Sequence, residues 1–186
     1  ASGNSNDNST NYNPGNCNGV VNVASTDRNG DRAYYSNYGS NVDVAAPGGA
    51  MQSANDPNGV LSTYNTGTST PGSDSYGYSQ GTSMAAPHVA GASALIKDAD
   101  PAATPDDIEQ ILRNSARSFP GSCNGCGTGI VDAAAAVALA SGGGNGGDNG
   151  GDDGGDDGSS GGGGTVDDLS ASTNEWNRFY LDVPAG

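Results

Sequence analysis

Gly81-Thr82-Ser83-Met84-Ala85-Ala86-Pro87-His88-Val89-Ala90-Gly91 is the stretch from which the rest of the sequence can be read. From Met84 to Ile96 only His88 and Ser93 are polar. A helix that is apolar all round is a buried one, and the Ala and Gly content of this one lets strands come close. Ser83 stands in its first turn, where backbone N–H groups are unpaired and the helix dipole is positive. Both favour a negative oxygen beside Ser83, as acyl transfer requires. Gly81 gives a tight entry and lets another backbone approach. Pro87 sits early enough for its missing N–H to do little harm. A serine ahead of a helix is ordinarily only an N-cap, so the length of the surrounding pattern has to decide between the two readings.

Upstream, Val20–Ala24 is a short apolar run between Asn18-Gly19 and Ser25-Thr26-Asp27, the pattern of a buried strand. Val42–Ala45 is a second, stopped by Pro47-Gly48-Gly49. Val60–Tyr64 and Ser75–Ser79 are expected to pair across the Gly/Ser/Thr-rich stretch between them. Downstream, Thr104 is a helix N-cap, with Pro105 at the first position and Asp106 and Asp107 in the first turn. Ile108, Ile111 and Leu112 form the apolar stripe of this helix. A third helix starts at Asp132 and runs through Ala133–Ala140. Strands followed by helices, one of them buried, predict a layered α/β domain over residues 1–140.

Residues 141–164 contain only Gly, Asp, Asn and Ser. Such a stretch cannot bury a core and reads as a flexible linker with a coil span of roughly 25–30 Å. Calcium-binding nonapeptide repeats need an aliphatic residue in each unit, and none is present there. Residues 165–186 regain apolar residues, with Phe179–Val183 alternating as a strand does. This is the pattern of a β-rich domain that has only begun, since so few residues cannot form a stable domain alone.

Six Lys and Arg stand against 21 Asp and Glu, for a formal charge of −15. That surface repels phosphates and anionic membranes, which argues against nucleic acid as a partner. No window holds the roughly 18 consecutive apolar residues that a membrane span needs. The chain opens on Ala1-Ser2-Gly3-Asn4 without Met, the start expected of a truncated or processed chain. There are three cysteines, Cys17, Cys123 and Cys126, and an odd count implies a free thiol or a partner elsewhere. For Cys123-Asn124-Gly125-Cys126, a zinc site would need two more ligands, and only Cys17 and His88 remain. A redox pair should open a helix after a strand, whereas this one lies in a Gly-rich loop. The expectation is a local disulfide between Cys123 and Cys126.

The Gly81–Gly91 segment resembles the nucleophile motif of the subtilisin-like (S8) serine protease family. Ala1-Ser2-Gly3-Asn4 resembles the family's second signature, whose Asn donates to the oxyanion, a role that falls on Asn4; alone, Asn4 would read as a turn residue. Asp43-Val44-Ala45-Ala46-Pro47-Gly48 resembles the family's strand and turn before the substrate region. Some extracellular bacterial members look similar around Cys123 and Cys126. Thr165–Gly186 resembles the opening of the pre-peptidase C-terminal domain found on such secreted proteases.

The resemblance implies the C-terminal portion of a subtilisin-like parallel-sheet domain with flanking and buried helices. It implies a secreted, extracellular, monomeric endopeptidase that cleaves proteins and peptides through an acyl-enzyme on Ser83, with Asn4 and the Ser83 N–H as the oxyanion hole. It places the family's catalytic Asp and His before Ala1, outside these residues. It therefore implies that this chain alone is inactive, and that Cys17 pairs with a cysteine in the part that precedes it. The one histidine, His88, lies roughly 140° round the helix from Ser83. It cannot serve as the base and is expected to be a packing residue. No cofactor is needed for catalysis. Structural calcium is implied by the family, but no complete cage of oxygen ligands can be read. The competing reading is a non-catalytic secreted binding protein on the same scaffold. The presence of both Ser83 and Asn4 gives it no support.

Overall fold

The computed structural model describes residues 1–142. The linker expected over 141–164 falls outside them from residue 143 on, and the β-rich start expected over 165–186 lies wholly outside. Two parallel strands form the centre, β1 (Val23–Thr26) and β2 (Val44–Pro47), in register from Val23–Val44 to Thr26–Pro47. A parallel bridge from Ala45 to Ile130 extends this layer on the far side of β2. Alternate side chains point to opposite faces of a strand, and both faces here are covered. Val23, Val44 and Ala46 pack with Ala85, Val89, Ala92, Ile96, Leu112 and Ala136 on one side. Ala24 and Ala45 pack with Val42, Cys126, Phe119 and Cys123 on the other. Burial on both faces is why these strands carry no polar/apolar alternation.

A separate antiparallel hairpin, β3 (Val60–Asn65) with β4 (Asp74–Ser79), leads into the long helix α1 (Thr82–Ala99). The apolar stripe of α1 is Ala85, Val89, Ala92 and Ile96, at helical spacing. Each larger aliphatic residue fully buried here contributes about 1.5–3 kcal/mol. The opposite face is open. Ser83, Pro87, His88, Ala90 and Gly91 are exposed, and Leu95 is 50 % exposed. The expectation of a helix buried all round therefore holds for one face only. The central layer, α2 (Pro105–Ser115) and α3 (Ala133–Ala140) all contact α1, and the residues they bury form a single stripe. His88 lies on the open side with Nδ1 2.8 Å from the Met84 carbonyl. It is an exposed residue and not the packing histidine its apolar neighbours suggest.

The helix boundaries follow from local chemistry. In α2, Thr104 Oγ1 accepts from the Asp107 N–H at 3.2 Å, and the Thr104 N–H donates to Asp107 Oδ2 at 2.9 Å. This reciprocal cap satisfies two otherwise orphan donors. In α3, Asp132 Oδ1 accepts from the Ala135 N–H at 2.9 Å. Asp43, just ahead of β2, ties the layer to α2. Its Oδ2 accepts from the Asn22 N–H at 2.7 Å and its Oδ1 from Arg113 Nη1 at 2.6 Å. Both oxygens of this buried carboxylate therefore have partners, one of them a guanidinium, as a polar group taken out of water requires.

Cys123 and Cys126 form a disulfide with Cα atoms 5.5 Å apart, and Cys126 is fully buried beneath the central layer. The Gly39 N–H donates to the Gly125 carbonyl inside this loop at 2.8 Å. Cys17 is exposed and unbridged among the described residues. Closing so short a loop contributes only about 2 kcal/mol through chain entropy. In Cys126→Ser, a hydroxyl in the apolar cluster adds a further cost. We expect Cys126→Ser to lower the melting temperature of the intact protein by several degrees, as read by circular dichroism with and without reductant. An unchanged midpoint would show that the bridge adds nothing to stability.

Candidate active site

Ser83 is the second residue of α1. Three features of the local chain fix its surroundings. Gly81 caps the helix at φ +146°, a conformation side chains resist. Its N–H donates to the Gly48 carbonyl at 3.0 Å, holding the helix entry against the turn that follows β2. The Thr82 N–H donates to Asn4 Oδ1 at 2.9 Å, and Thr82 Oγ1 donates to the same oxygen at 2.8 Å. Thr82 Oγ1 also accepts from the Gly3 N–H at 3.2 Å. Thr82 is 1 % exposed, so this clamp is shielded from water.

The clamp decides which way the Asn4 amide faces. A backbone N–H can only donate, so the carbonyl end of the amide must point at Thr82. Nδ2 is left as a donor with no protein partner among the described residues. The N–H of Ser83 is likewise unpartnered there, as expected for the first turn of a helix. A Cβ built on Gly81 would lie 3.3 Å from Asn4 Nδ2 and 3.7 Å from Ser83 N. The space that a side chain on Gly81 would fill thus lies within about 4 Å of both donors. Two unpaired donors beside an exposed hydroxyl are what a developing oxyanion requires.

An open depression of about 570 Å³ lies on the other side, lined by Tyr34, Met51, Tyr78, Gln80 and Met84, the residue after Ser83. Gln80 braces its wall, with Nε2 donating to the Tyr34 hydroxyl at 2.7 Å and Oε1 accepting from the Met51 N–H. Beneath it, Tyr35 is buried, with its hydroxyl 2.8 Å from the Gly48 carbonyl and 2.7 Å from that of Gly49. Burial raises the pKa of this hydroxyl above its ordinary 10.0, against the lowering effect of its hydrogen bond with Ser25.

The structure brings Asn4 and Ser83 together, although 78 positions separate Asn4 from Thr82. It keeps His88 apart from them, on the open face of α1 with its ring bonded to Met84. Cys123 and Cys126 belong to the disulfide loop. Thr82, Gln80 and Asn37 were not singled out in the sequence. The one signal for Thr82 was its place inside the motif, between Gly81 and Ser83. Among the described residues no group of three or more His, Cys, Asp or Glu side chains could hold a metal ion, and no helix is long and apolar enough to cross a membrane.

The family model described as the subtilase family matches residues 1–159. An extracellular protease of Xanthomonas campestris is 46% identical over 188 aligned residues, covering 100% of this chain and 30% of that protein. Subtilisin BL of Lederbergia lenta is 43% identical over 136 residues, covering 73% of this chain and 44% of that protein. A solved protease structure from Pseudoalteromonas arctica superimposes with a TM-score of 0.74 at 78% identity, over 75% of this chain and 41% of that one. The chain therefore spans less than half the length of these relatives. Its layered α/β architecture is a portion of the subtilisin-like fold. With most of its length matched, the chain belongs to the subtilase family.

Proposed function

We propose that these residues are part of a secreted serine endopeptidase that hydrolyses peptide bonds through an acyl-enzyme on Ser83. The observation that carries this reading is the clamp of Asn4 Oδ1 by the Thr82 N–H and hydroxyl. With Oδ1 taken by Thr82, Asn4 Nδ2 is left free to donate, and the Ser83 N–H lies at the start of the same helix. Ser83 Oγ attacks the scissile carbonyl, and the carbonyl oxygen becomes an oxyanion held by these two donors. The proton of Ser83 goes to a histidine that an aspartate orients; both are supplied by the part of the intact protease outside these residues. Kinship with proteins named as extracellular proteases supports secretion and a protein substrate.

A fluorophosphonate probe tests the proposal, because it reports an activated serine without needing a known substrate. In the intact protein it should label Ser83 rapidly and stoichiometrically, as mapped by mass spectrometry. In the isolated 186-residue chain no imidazole reaches Ser83, so labelling should be slow. Failure to label the intact protein would favour a binding protein on a protease scaffold. Rapid labelling of the isolated chain would mean that a base is present within it.

A further inference from the structure

Asn4 is held at two points. Thr82 fixes the end of its side chain, and Asn37 fixes its backbone. Asn37 is fully buried, and every polar group of its amide is used on the segment that carries Asn4. Its Oδ1 accepts from the Ser5 N–H at 2.8 Å and from the Asp7 N–H at 3.1 Å. Its Nδ2 donates to the Ser2 carbonyl at 3.0 Å. Its backbone N–H donates to the Gly3 carbonyl at 2.9 Å. One residue thus bonds the chain before and after Asn4, at Ser2, Gly3, Ser5 and Asp7. The fit leaves no slack. Gly3 has φ +106°, and a Cβ there would lie 2.4 Å from Asn37 Nδ2. Asn6 is also bent into the left-handed region, at φ 51°. A bend of this kind persists only when its surroundings enforce it.

We infer that Asn37 is a positioning residue for the oxyanion donor: it fixes the Ser2–Asp7 backbone so that Asn4 Nδ2 stays aimed beside Ser83. The inference rests on the role proposed for Asn4. A purely structural amide could fasten this segment anywhere along it, whereas these bonds fall on both sides of the donor. A donor displaced by about 1 Å loses up to about a hundredfold in rate. The ground-state carbonyl gains less from the donor than the oxyanion does. The loss therefore falls on kcat more than on KM.

The test is a double-mutant cycle in the intact protease, with an internally quenched peptide cleaved at one bond and the melting temperature measured for each variant. Asn37→Ala should lower kcat about ten- to a hundredfold, with KM within about twofold. In an Asn4→Ala background the same substitution should cost less than about threefold, because the donor it positions is gone. An equal loss in both backgrounds, or an unchanged kcat in Asn37→Ala, would overturn the inference. An unchanged kcat in Asn4→Ala alone would overturn the reading of Asn4 itself, and the inference with it. Should Asn37→Ala fail to fold, Asn37→Asp takes its place. It keeps the acceptor for the Ser5 and Asp7 N–H groups and replaces the donor to Ser2 with a second, charged acceptor, so its melting temperature is read beside its kcat. A fall in kcat that vanishes in the Asn4→Ala background supports the inference, and a wild-type kcat counts against it.

Discussion

Ser83→Ala in the intact protease should lower kcat by on the order of 10⁶, a magnitude that comes from subtilisins themselves. The hydroxyl is exposed at the start of α1, so its loss leaves no buried cavity and should not disturb the fold. KM should change little. On the proposed mechanism Ser83 contributes a bond that forms only during reaction. The oxyanion donors remain, so a residual acceleration of about 10³–10⁴ over water is expected. Single-turnover kinetics on a chromogenic ester should show the burst of acyl-enzyme disappear. Retention of more than about one part in a hundred of the wild-type kcat would exclude Ser83 as the nucleophile.

Asn4→Ala should lower kcat by on the order of 10²–10³, again the size seen for such a donor in a subtilisin. The asymmetry between the kinetic constants carries the argument. Asn4 Nδ2 has no partner among the described residues because Oδ1 alone is spoken for, by Thr82. An idle donor contributes little to the ground state and much to the oxyanion. Initial-rate kinetics should show kcat falling with KM nearly unchanged. A rise in KM alone would make Asn4 a binding or turn residue. Removing Asn4 also leaves the Thr82 hydroxyl and N–H without their acceptor, so some loss of thermal stability should accompany the loss of rate.

The fold was legible wherever one contiguous stretch carried its own chemistry. The Thr104–Asp107 cap announced α2, Asp132 announced α3, and the Gly/Ser/Thr-rich stretch between Val60–Tyr64 and Ser75–Ser79 announced the hairpin. Both strands sit two to three residues later than expected: β1 begins at Val23 and continues through buried Ser25 and Thr26, and β2 begins at Val44 and takes in Pro47, which pairs with Thr26 instead of ending the strand. Ser25 is satisfied by the Ser36 hydroxyl at its N–H and by the Tyr35 hydroxyl at its own, and neither partner can be paired with it by inspection. The environment of α1 was misjudged because composition reports what a helix can bury, whereas packing decides what it does bury. Ser83 and Asn4 were singled out through the motifs that contain them. Asn37 and Thr82 looked like ordinary small polar residues. Their importance lies in bonds to Ser2, Ser5, Asp7 and Asn4, and no local pattern records a partner across so much of the chain.

The Asn4–Thr82 contact also bears on the order in which the molecule can be built. Bringing together groups 78 positions apart costs about 4 kcal/mol of loop entropy. Two hydrogen bonds return only about 0.5–1.5 kcal/mol each. The contact cannot pay for its own closure, so it depends on the pairing of β1 with β2 and the packing of α1 against them. Local loosening of the Ser2–Asp7 segment is therefore expected to open the Asn4–Thr82 clamp while the central layer stays paired.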